Sequence, residues 1–139
     1  TGIGFLSIDK TAPGQGLEVG KKLATLVPIT KTLIVVDKDV DVLNRTEVMQ
    51  AVGARWQPYP AAEIIKEARG MPLDPSAPKR PMSSKIVIDA TRQWPEEGGP
   101  AVYPERNRDL LNKLAPEAKK LVDARWEEYM RGWKRDRGW

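Results

Sequence analysis

The chain has 139 residues, which suits one domain with its own core. It contains neither Cys nor His, so it can form no disulfide or thiolate metal site and lacks the commonest neutral-pH proton shuttle. The net charge is only +4 and no apolar run reaches the ~20 residues of a membrane span, so we expect a cytoplasmic protein without nucleic-acid or membrane partners.

Strands and helices alternate in the first half of the chain. Short apolar runs predict strands over residues 3–8 and 32–37, and apolar stripes at helical spacing predict helices from Gln15 to Pro28 and from Asn44 or Thr46 toward Pro58. The second run is rich in β-branched residues, which is typical of a central parallel strand. The chain begins at Thr1 rather than Met, so we expect it to begin inside a longer coding sequence, or after processing or a cloning scar.

The second half is predicted to contain two more strands, a long loop and two helices. Residues 62–65 form a weak strand, a Pro-rich loop follows residue 68, and residues 85–89 form a confident strand. Helices are predicted over residues 105–114 and from Pro116 to Gly132, followed by a tail over residues 133–139. This order predicts an α/β domain over residues 1–132, with a mostly parallel sheet flanked by helices.

Three aspartates alternate after the second strand, at Asp37, Asp39 and Asp41. Carboxyl ends of strands do bind ligands in open α/β sheets, so a metal or ribose contact is one interpretation. The EF-hand positions that need Gly and Glu hold Val42 and Val48, which excludes that motif. We favour a loop whose carboxylates are held by hydrogen bonds within the chain.

Two other segments have the composition of an anion site. Residues 13–16 (Pro-Gly-Gln-Gly) precede a helix but lack the dinucleotide and P-loop patterns, so a turn that starts the helix is favoured. Ser83, Ser84 and Lys85 could hold a phosphate through charge-assisted hydrogen bonds, although a lysine at a strand start is commonly a solvated edge charge.

An aromatic stripe marks the last helix, where Trp126, Tyr129 and Trp133 share a face and Trp139 follows. Core packing and a subunit contact remain equal alternatives, because Trp, Tyr and Arg are enriched at interface anchors. No nucleophile–base pair can be assembled from these residue types. Composition therefore favours a binding or assembly domain.

Ordered segments of the chain resemble the C-terminal domain of UbiD-family decarboxylases. The segments that carry the resemblance are residues 5–10 with Pro13-Gly14-Gln15, residues 34–41 as an acidic D-x-D-I-D-like loop, residues 48–52 with Arg55 and Pro58, the Pro-rich residues 72–76, residues 84–91 as an S-K-x-x-x-D-A-T signature followed by Trp94-Pro95, and the closing residues 116–126. Together they span residues 3 to 130, and residues 132–139 depart from the family pattern.

The resemblance implies a carboxy-lyase that reversibly decarboxylates aromatic or α,β-unsaturated acids with prenylated FMN. A flavin-binding domain, N-terminal to this region or in a partner subunit, would supply the catalytic residues and a divalent metal (Mn or Mg), with K as a further ion. This chain would assemble homo- or hetero-oligomers and close over the flavin. By the same resemblance, Lys85 with Ser84 would contact the cofactor phosphate, and Asp89 and Thr91 would border the substrate.

A second hypothesis stays open beside this one. The chain could instead be a stand-alone assembly or nucleotide-binding α/β module without a catalytic role. The native polypeptide discriminates between the two, since only the first requires a decarboxylase domain or subunit associated with it.

Overall fold

A four-stranded sheet organises the first part of the chain in the computed structural model, which describes residues 2–105 and 107–131, without the side chains of residues 107 and 108. The strands and helices are β1 (Ile3–Ile8), α1 (Gln15–Leu26), β2 (Thr32–Asp37), α2 (Arg45–Arg55), β3 (Ala62–Arg69), β4 (Met82–Asp89), α3 (Asn107–Leu114), α4 (Pro116–Ala124) and α5 (Trp126–Tyr129). Two compact units result, Thr1–Val102 and Tyr103–Trp139.

The strand order is β1-β2-β4-β3, with β2 and β4 at the centre. β1, β2 and β4 run parallel, and β3 pairs antiparallel with β4 at the far edge. The prediction of a mostly parallel sheet with flanking helices is therefore confirmed. β3 is longer than the predicted four residues, because its pairing with β4 resumes beyond an irregularity between Ile65 and Ala68.

Hydrophobic residues of β2 pack into two cores, one on each face of the sheet. Leu33 and Val35 pack with Ala24 of α1, whereas Ile34 and Val36 pack with Val48 of α2. The alternation follows from the two-residue period of a strand, and burial on both faces explains why residues 33–36 of β2 are all apolar.

Local chemistry fixes the helix ends. The Asn44 side chain accepts hydrogen bonds from the N–H groups of Thr46 and Glu47, so Asn44 rather than Thr46 is the N-cap of α2.

At α1, a Cβ added to Gly20 would lie 2.4 Å from Val87 Cγ1, so this glycine permits the close approach of helix and strand.

The described residues of the second unit form three short helices. The helix predicted from Pro116 to Gly132 is divided at Arg125 into α4 and α5. Trp126 and Tyr129 are 52% and 47% exposed, so the described part of the aromatic stripe does not form a core. Trp133 and Trp139 lie outside the described residues, as does the tail, so the division at residue 132 stays a prediction. No described helix has the length and apolar character to cross a membrane.

Candidate functional site

The amino ends of the parallel strands border a small cavity, which we call the amino-edge cavity. Its volume is about 230 Å³, and it is lined by Gly2, by residues 28–31 after α1, by the loop from Gly70 to Pro75, and by residues 83–85 at the start of β4. The cavity is smaller than the 300–1,000 Å³ that is usual for a drug-sized ligand. It could hold a group of phosphate size but not a whole flavin.

Lys85 lies at this cavity with its side chain buried; the whole residue is 4% exposed. Its ammonium donates to the carbonyl oxygens of Ala24, at 2.6 Å, and Val27, at 3.0 Å, where α1 ends, and the Val27 carbonyl also accepts from the Thr30 N–H at 3.1 Å. Burial lowers the pKa of Lys85 below its ordinary 10.5. No carboxylate pairs with it among the described residues, so the charge is stabilised by carbonyl dipoles alone.

The other polar groups of the cavity are arranged around Asp74. Lys31 pairs with Asp74 at 3.0 Å, and the Ser83 hydroxyl donates weakly to it at 3.5 Å. Hydrogen bonds from Ser76, together with Lys31, lower the pKa of Asp74 from 3.8 to about 2, so it is ionised at neutral pH. Ser84 is exposed. Because Lys31 offsets the charge of Asp74, the Lys85 ammonium is the uncompensated charge of the described cavity lining.

A cluster of charged residues occupies the opposite edge, where the parallel strands end; we call it the carboxyl-edge cluster. The Arg55 guanidinium donates to Asp37 at 2.7 Å and to both oxygens of Asp39 at 3.0 Å. Arg92 donates to Asp39 at 2.6 Å through its side chain and to Asp37 at 2.9 Å through its backbone. Asp41 caps the adjacent turn by accepting from Leu43 N–H. These contacts agree with the favoured prediction that the carboxylates of this loop are held by hydrogen bonds within the chain.

Arginine contacts also determine the ionisation of Asp39. Burial pushes its pKa upward, but the hydrogen bonds and charges of Arg55 and Arg92 outweigh burial and lower the pKa from 3.8 to about 2. Among residues 2–105 and 107–131, no group of three or more Asp and Glu could hold a metal ion. The cluster therefore has the chemistry of a structural ion-pair network.

A second buried pair joins the loop after β4 to the start of α1. Lys10 and Glu97 lie 2.6 Å apart with side chains 3% and 8% exposed. Glu97 also accepts from the N–H groups of Gly14 and Trp94, both at 2.7 Å. Burial raises the pKa of Glu97, but these hydrogen bonds and the Lys10 charge leave it below its ordinary value. The amide ahead of α1, considered above for an anion, thus already binds a carboxylate of the chain.

Asp89 and Thr91 form a buried pair beside these residues. Asp89 Oδ1 accepts from the Thr91 hydroxyl at 2.6 Å and the Thr91 N–H at 3.0 Å. Asp89 Oδ2 has no hydrogen-bond partner among the described residues. A Cβ on Gly16 would lie 2.2 Å from this carboxylate, so the first turn of α1 packs directly on it.

The predicted site residues do not come together in one place. Ser84 and Lys85 lie at the amino edge, whereas Asp89 and Thr91 lie at the carboxyl edge, and the four residue steps from Lys85 to Asp89 span ~13 Å of strand. Sequence reasoning did not assign Lys10, Arg92 or Glu97 to the carboxyl edge. The sequence Trp94-Pro95-Glu96-Glu97, which forms a capped 3₁₀ turn, is a local pattern that could have indicated a role for Glu97. No local pattern indicates the contacts of Lys10 or Arg92.

Comparison with known proteins identifies relatives of this architecture. A family model described as the 3-octaprenyl-4-hydroxybenzoate carboxy-lyase C-terminal domain matches residues 1–90. An anhydromevalonate phosphate decarboxylase of Archaeoglobus fulgidus is 37% identical over 93 residues, which are 67% of this chain and 21% of that protein. The first two relatives by sequence are each matched over about a quarter of their length (26%).

Solved structures agree with the sequence matches. The vanillic acid decarboxylase of Sedimentibacter hydroxybenzoicus, in its closed form, superposes with a TM-score of 0.66 at 32% identity, covering 84% of this chain and 26% of that one. The UbiD-class enzyme HmfF of Pelotomaculum thermopropionicum, in complex with FMN, superposes with a TM-score of 0.63 at 28% identity, covering 81% and 25%.

Proposed function

Since this chain belongs to the UbiD family as its C-terminal domain, we propose that it is the assembly and cofactor-closing part of a carboxy-lyase. The enzyme would reversibly decarboxylate an aromatic or α,β-unsaturated carboxylic acid in the cytoplasm. The match of residues 1–90 to the family's C-terminal domain carries this proposal, because the chain spans about a quarter of the relatives it matches. The catalytic residues would then belong to an N-terminal flavin-binding domain or a partner subunit.

A prenylated FMN would be held mainly by that other domain, together with Mn or Mg and with K as an additional ion. When bound, the cofactor supplies an electron sink for the carbon that loses CO2, while protein groups orient and enclose it. The amino-edge cavity suits only the phosphate end of such a molecule, given its volume of about 230 Å³. This chain would therefore contribute a contact to the phosphate rather than to the flavin ring.

Lys85 is the residue we assign to that contact, with Ser84 as its neighbour. An ammonium has three N–H donors, and two of those on Lys85 bind Ala24 and Val27. The third has no partner among the described residues, and a phosphate would give it a charge-assisted hydrogen bond. The lowered pKa of Lys85 shows that burying its charged ammonium costs free energy. A bound anion would offset that cost.

Flavin retention by the natural-length enzyme tests this assignment. Lys85→Met removes both the phosphate contact and the cap of α1, so a loss of cofactor with this variant alone would not separate the two roles. Ser84→Ala leaves α1 untouched, since Ser84 is exposed and its backbone carbonyl, which accepts from the Ser83 hydroxyl, is not changed by the substitution. We expect purified Ser84→Ala enzyme to hold less flavin, while the thermal stability of its cofactor-free form stays unchanged, and full occupancy in both variants would reject the assignment.

We assign Asp89 and Thr91 to the substrate side of the enzyme. The support is the position of this pair at the carboxyl edge of the sheet, where the buried Asp89 Oδ2 has no hydrogen-bond partner among the described residues. In Asp89→Asn enzyme we expect a higher KM with a smaller change in kcat. An unchanged KM, with the protein folded, would place these residues outside the substrate region.

Assembly would use the exposed face of α4 and α5. Leu121, Trp126 and Tyr129 are 57%, 52% and 47% exposed, and aromatic anchors of this kind commonly carry interface binding energy. Trp126→Ala should weaken self-association in sedimentation at micromolar concentrations. Tyr59→Ala is the matched control, because Tyr59 is an exposed aromatic of the sheet unit. Equal association of both variants would rule out α5 as a contact.

A further inference from the structure

Two lysines lie side by side at the amino edge of the sheet. The Ile86 N–H of β4 donates to the Lys31 carbonyl at 2.9 Å, one step before β2 begins, so Lys31 is the neighbour of Lys85 across two parallel strands. Alternation along each strand puts both lysines on the face of Leu33 and Val87, which pack against α1. Their backbones are therefore about 4.8 Å apart, and both residues line the amino-edge cavity.

The two ammonium groups repel each other, and the chain compensates only one of them with a negative charge. Lys85 binds two carbonyl oxygens at the end of α1, which are dipoles without net charge. Lys31 binds the Asp74 carboxylate at 3.0 Å and the Ser76 hydroxyl. The charged residues of the described cavity lining are these two lysines and Asp74, so one positive charge is left for a ligand.

The donors around the Asp74 carboxylate form a set that suits a phosphate oxygen equally well. Ser76 donates its backbone N–H at 2.9 Å and its hydroxyl at 2.7 Å, and the Ser83 hydroxyl lies at 3.5 Å, beside the Lys31 ammonium. These contacts with Ser76 and Lys31 lower the pKa of Asp74 to about 2, which shows that the donors stabilise an anion. An ammonium, hydroxyls and a backbone N–H are also the groups that bind phosphates in proteins.

A phosphate monoester needs more positive charge than Lys85 supplies, since it carries about −1.5 to −2 at neutral pH. Lys31 can provide the second charge, because its side chain is 44% exposed and has a flexible stem, whereas Lys85 is buried. We propose that Lys31 is a second ligand of the phosphate beside Lys85, and that Asp74 competes with the phosphate for Lys31 and so limits its affinity. This inference rests on the proposed contact between this chain and the cofactor phosphate.

FMN and riboflavin together test the proposal, because the two flavins differ only in the phosphate. We expect natural-length enzyme freed of its cofactor to bind FMN about tenfold more weakly as Lys31→Met, which loses a charge-assisted contact. Asp74→Asn should bind FMN more tightly than the parent enzyme, because the competing charge is gone. Riboflavin affinity and the thermal midpoint of the cofactor-free enzyme should change far less than FMN affinity in both variants.

A matched ion pair at the carboxyl edge provides the control. Lys38 binds Asp9 at 2.7 Å and both side chains are exposed, so Lys38→Met and Asp9→Asn make the same chemical changes away from the cavity. Neither should alter the binding of FMN or riboflavin. If they change FMN affinity as the cavity variants do, the effect is one of overall charge and the proposal is wrong.

The opposite signs expected for Lys31→Met and Asp74→Asn make the proposal easy to refute. Weaker FMN binding by Asp74→Asn would mean that Asp74 only positions Lys31 and does not compete. Equal losses of FMN and riboflavin affinity in Lys31→Met would mean a structural role. If Lys85→Met and Ser84→Ala weaken FMN but Lys31→Met does not, the phosphate contact stands and only this inference fails. If none of the four variants separates FMN from riboflavin, the proposed phosphate contact fails as well.

Discussion

Arg55→Met should destabilise the sheet unit strongly, because it removes the cation at the centre of the carboxyl-edge cluster. Arg55 is 9% exposed and makes three hydrogen bonds of 2.7–3.0 Å to Asp37 and Asp39. Removing one partner of a buried ion pair costs about 3–5 kcal/mol. Arg92 remains in contact with both carboxylates and Asp39 is one-third exposed, so we expect the lower end, about 3 kcal/mol.

Urea unfolding measures this loss, with Arg45→Met as the matched control. Arg45 is the first residue of the same helix and is exposed, and no described side chain pairs with it. Its replacement should change the free energy of unfolding by less than about 0.5 kcal/mol. Arg55→Lys should fall between the two variants, because an ammonium keeps the charge but cannot bind Asp39 through two parallel hydrogen bonds. Similar losses for Arg45→Met and Arg55→Met would refute the reasoning.

The pH dependence gives an independent check on the same residues. The pKa of Asp39 is about 2 in the folded chain and 3.8 ordinarily, so the unfolded chain binds this proton first as the pH falls. The stabilisation from ionised Asp39 is therefore complete above pH 3.8 and is lost between that value and about 2. The difference in the free energy of unfolding between the parent chain and Arg55→Met should therefore decrease as the pH falls through this range. A difference that stays constant would contradict the assigned contacts.

Two glycines and one glutamate give further tests by thermal or urea unfolding. Gly20→Ala should destabilise the fold by about 1–3 kcal/mol despite its better helix propensity, because the added Cβ would lie 2.4 Å from Val87. In the control variant Gly53→Ala, in α2, the added Cβ meets nothing within 4 Å and should stabilise the fold by up to about 1 kcal/mol. Equal effects of the two substitutions would contradict the close packing of α1. Glu97→Gln should cost about 3 kcal/mol and expose the loop after β4 to proteolysis, since it breaks a buried ion pair. Glu96→Gln, at the exposed neighbouring position, should change neither the stability nor the susceptibility of the loop to proteolysis. A loss of stability of similar size in Glu96→Gln would mean that the buried contacts of Glu97 are not the cause.

Periodicity was sufficient to predict most of the fold, because each element is specified by its own residues. The apolar run of β2 and a cap of α2 at Asn44 or Thr46 were predicted from local patterns, and the structure confirms the run and identifies Asn44 as the cap. β3 was predicted too short because Lys66 and Glu67 interrupt its pattern, and only pairing with β4 carries the strand beyond them. The break at Arg125 was not predicted, since helical spacing continues through that residue.

The site was less predictable because its partners are distant in sequence. Asp37 and Asp39 were singled out, but their partner Arg92 is 53 residues or more away, and no local pattern specifies such a contact. Lys10 reaches Glu97 across 87 residues for the same reason. Lys85 was placed at a strand start, yet its burial against the carbonyls of α1 depends on how the helix crosses β4. Residue type identified the candidates, and tertiary packing determined what they contact.

Lys85 couples the folding of α1 to the proposed binding of a phosphate. Burial lowers its pKa below 10.5, so the unfolded chain holds this proton more tightly, and the charged ammonium costs stability at neutral pH. That cost declines as the pH rises from the lowered pKa toward 10.5, where the unfolded lysine also loses its proton. A bound phosphate would remove the cost by pairing with the ammonium and would thereby stabilise the folded chain. Cofactor should therefore raise the thermal midpoint of the enzyme through Lys85 more at neutral than at strongly alkaline pH, and a pH-independent increase would mean that the phosphate is bound elsewhere.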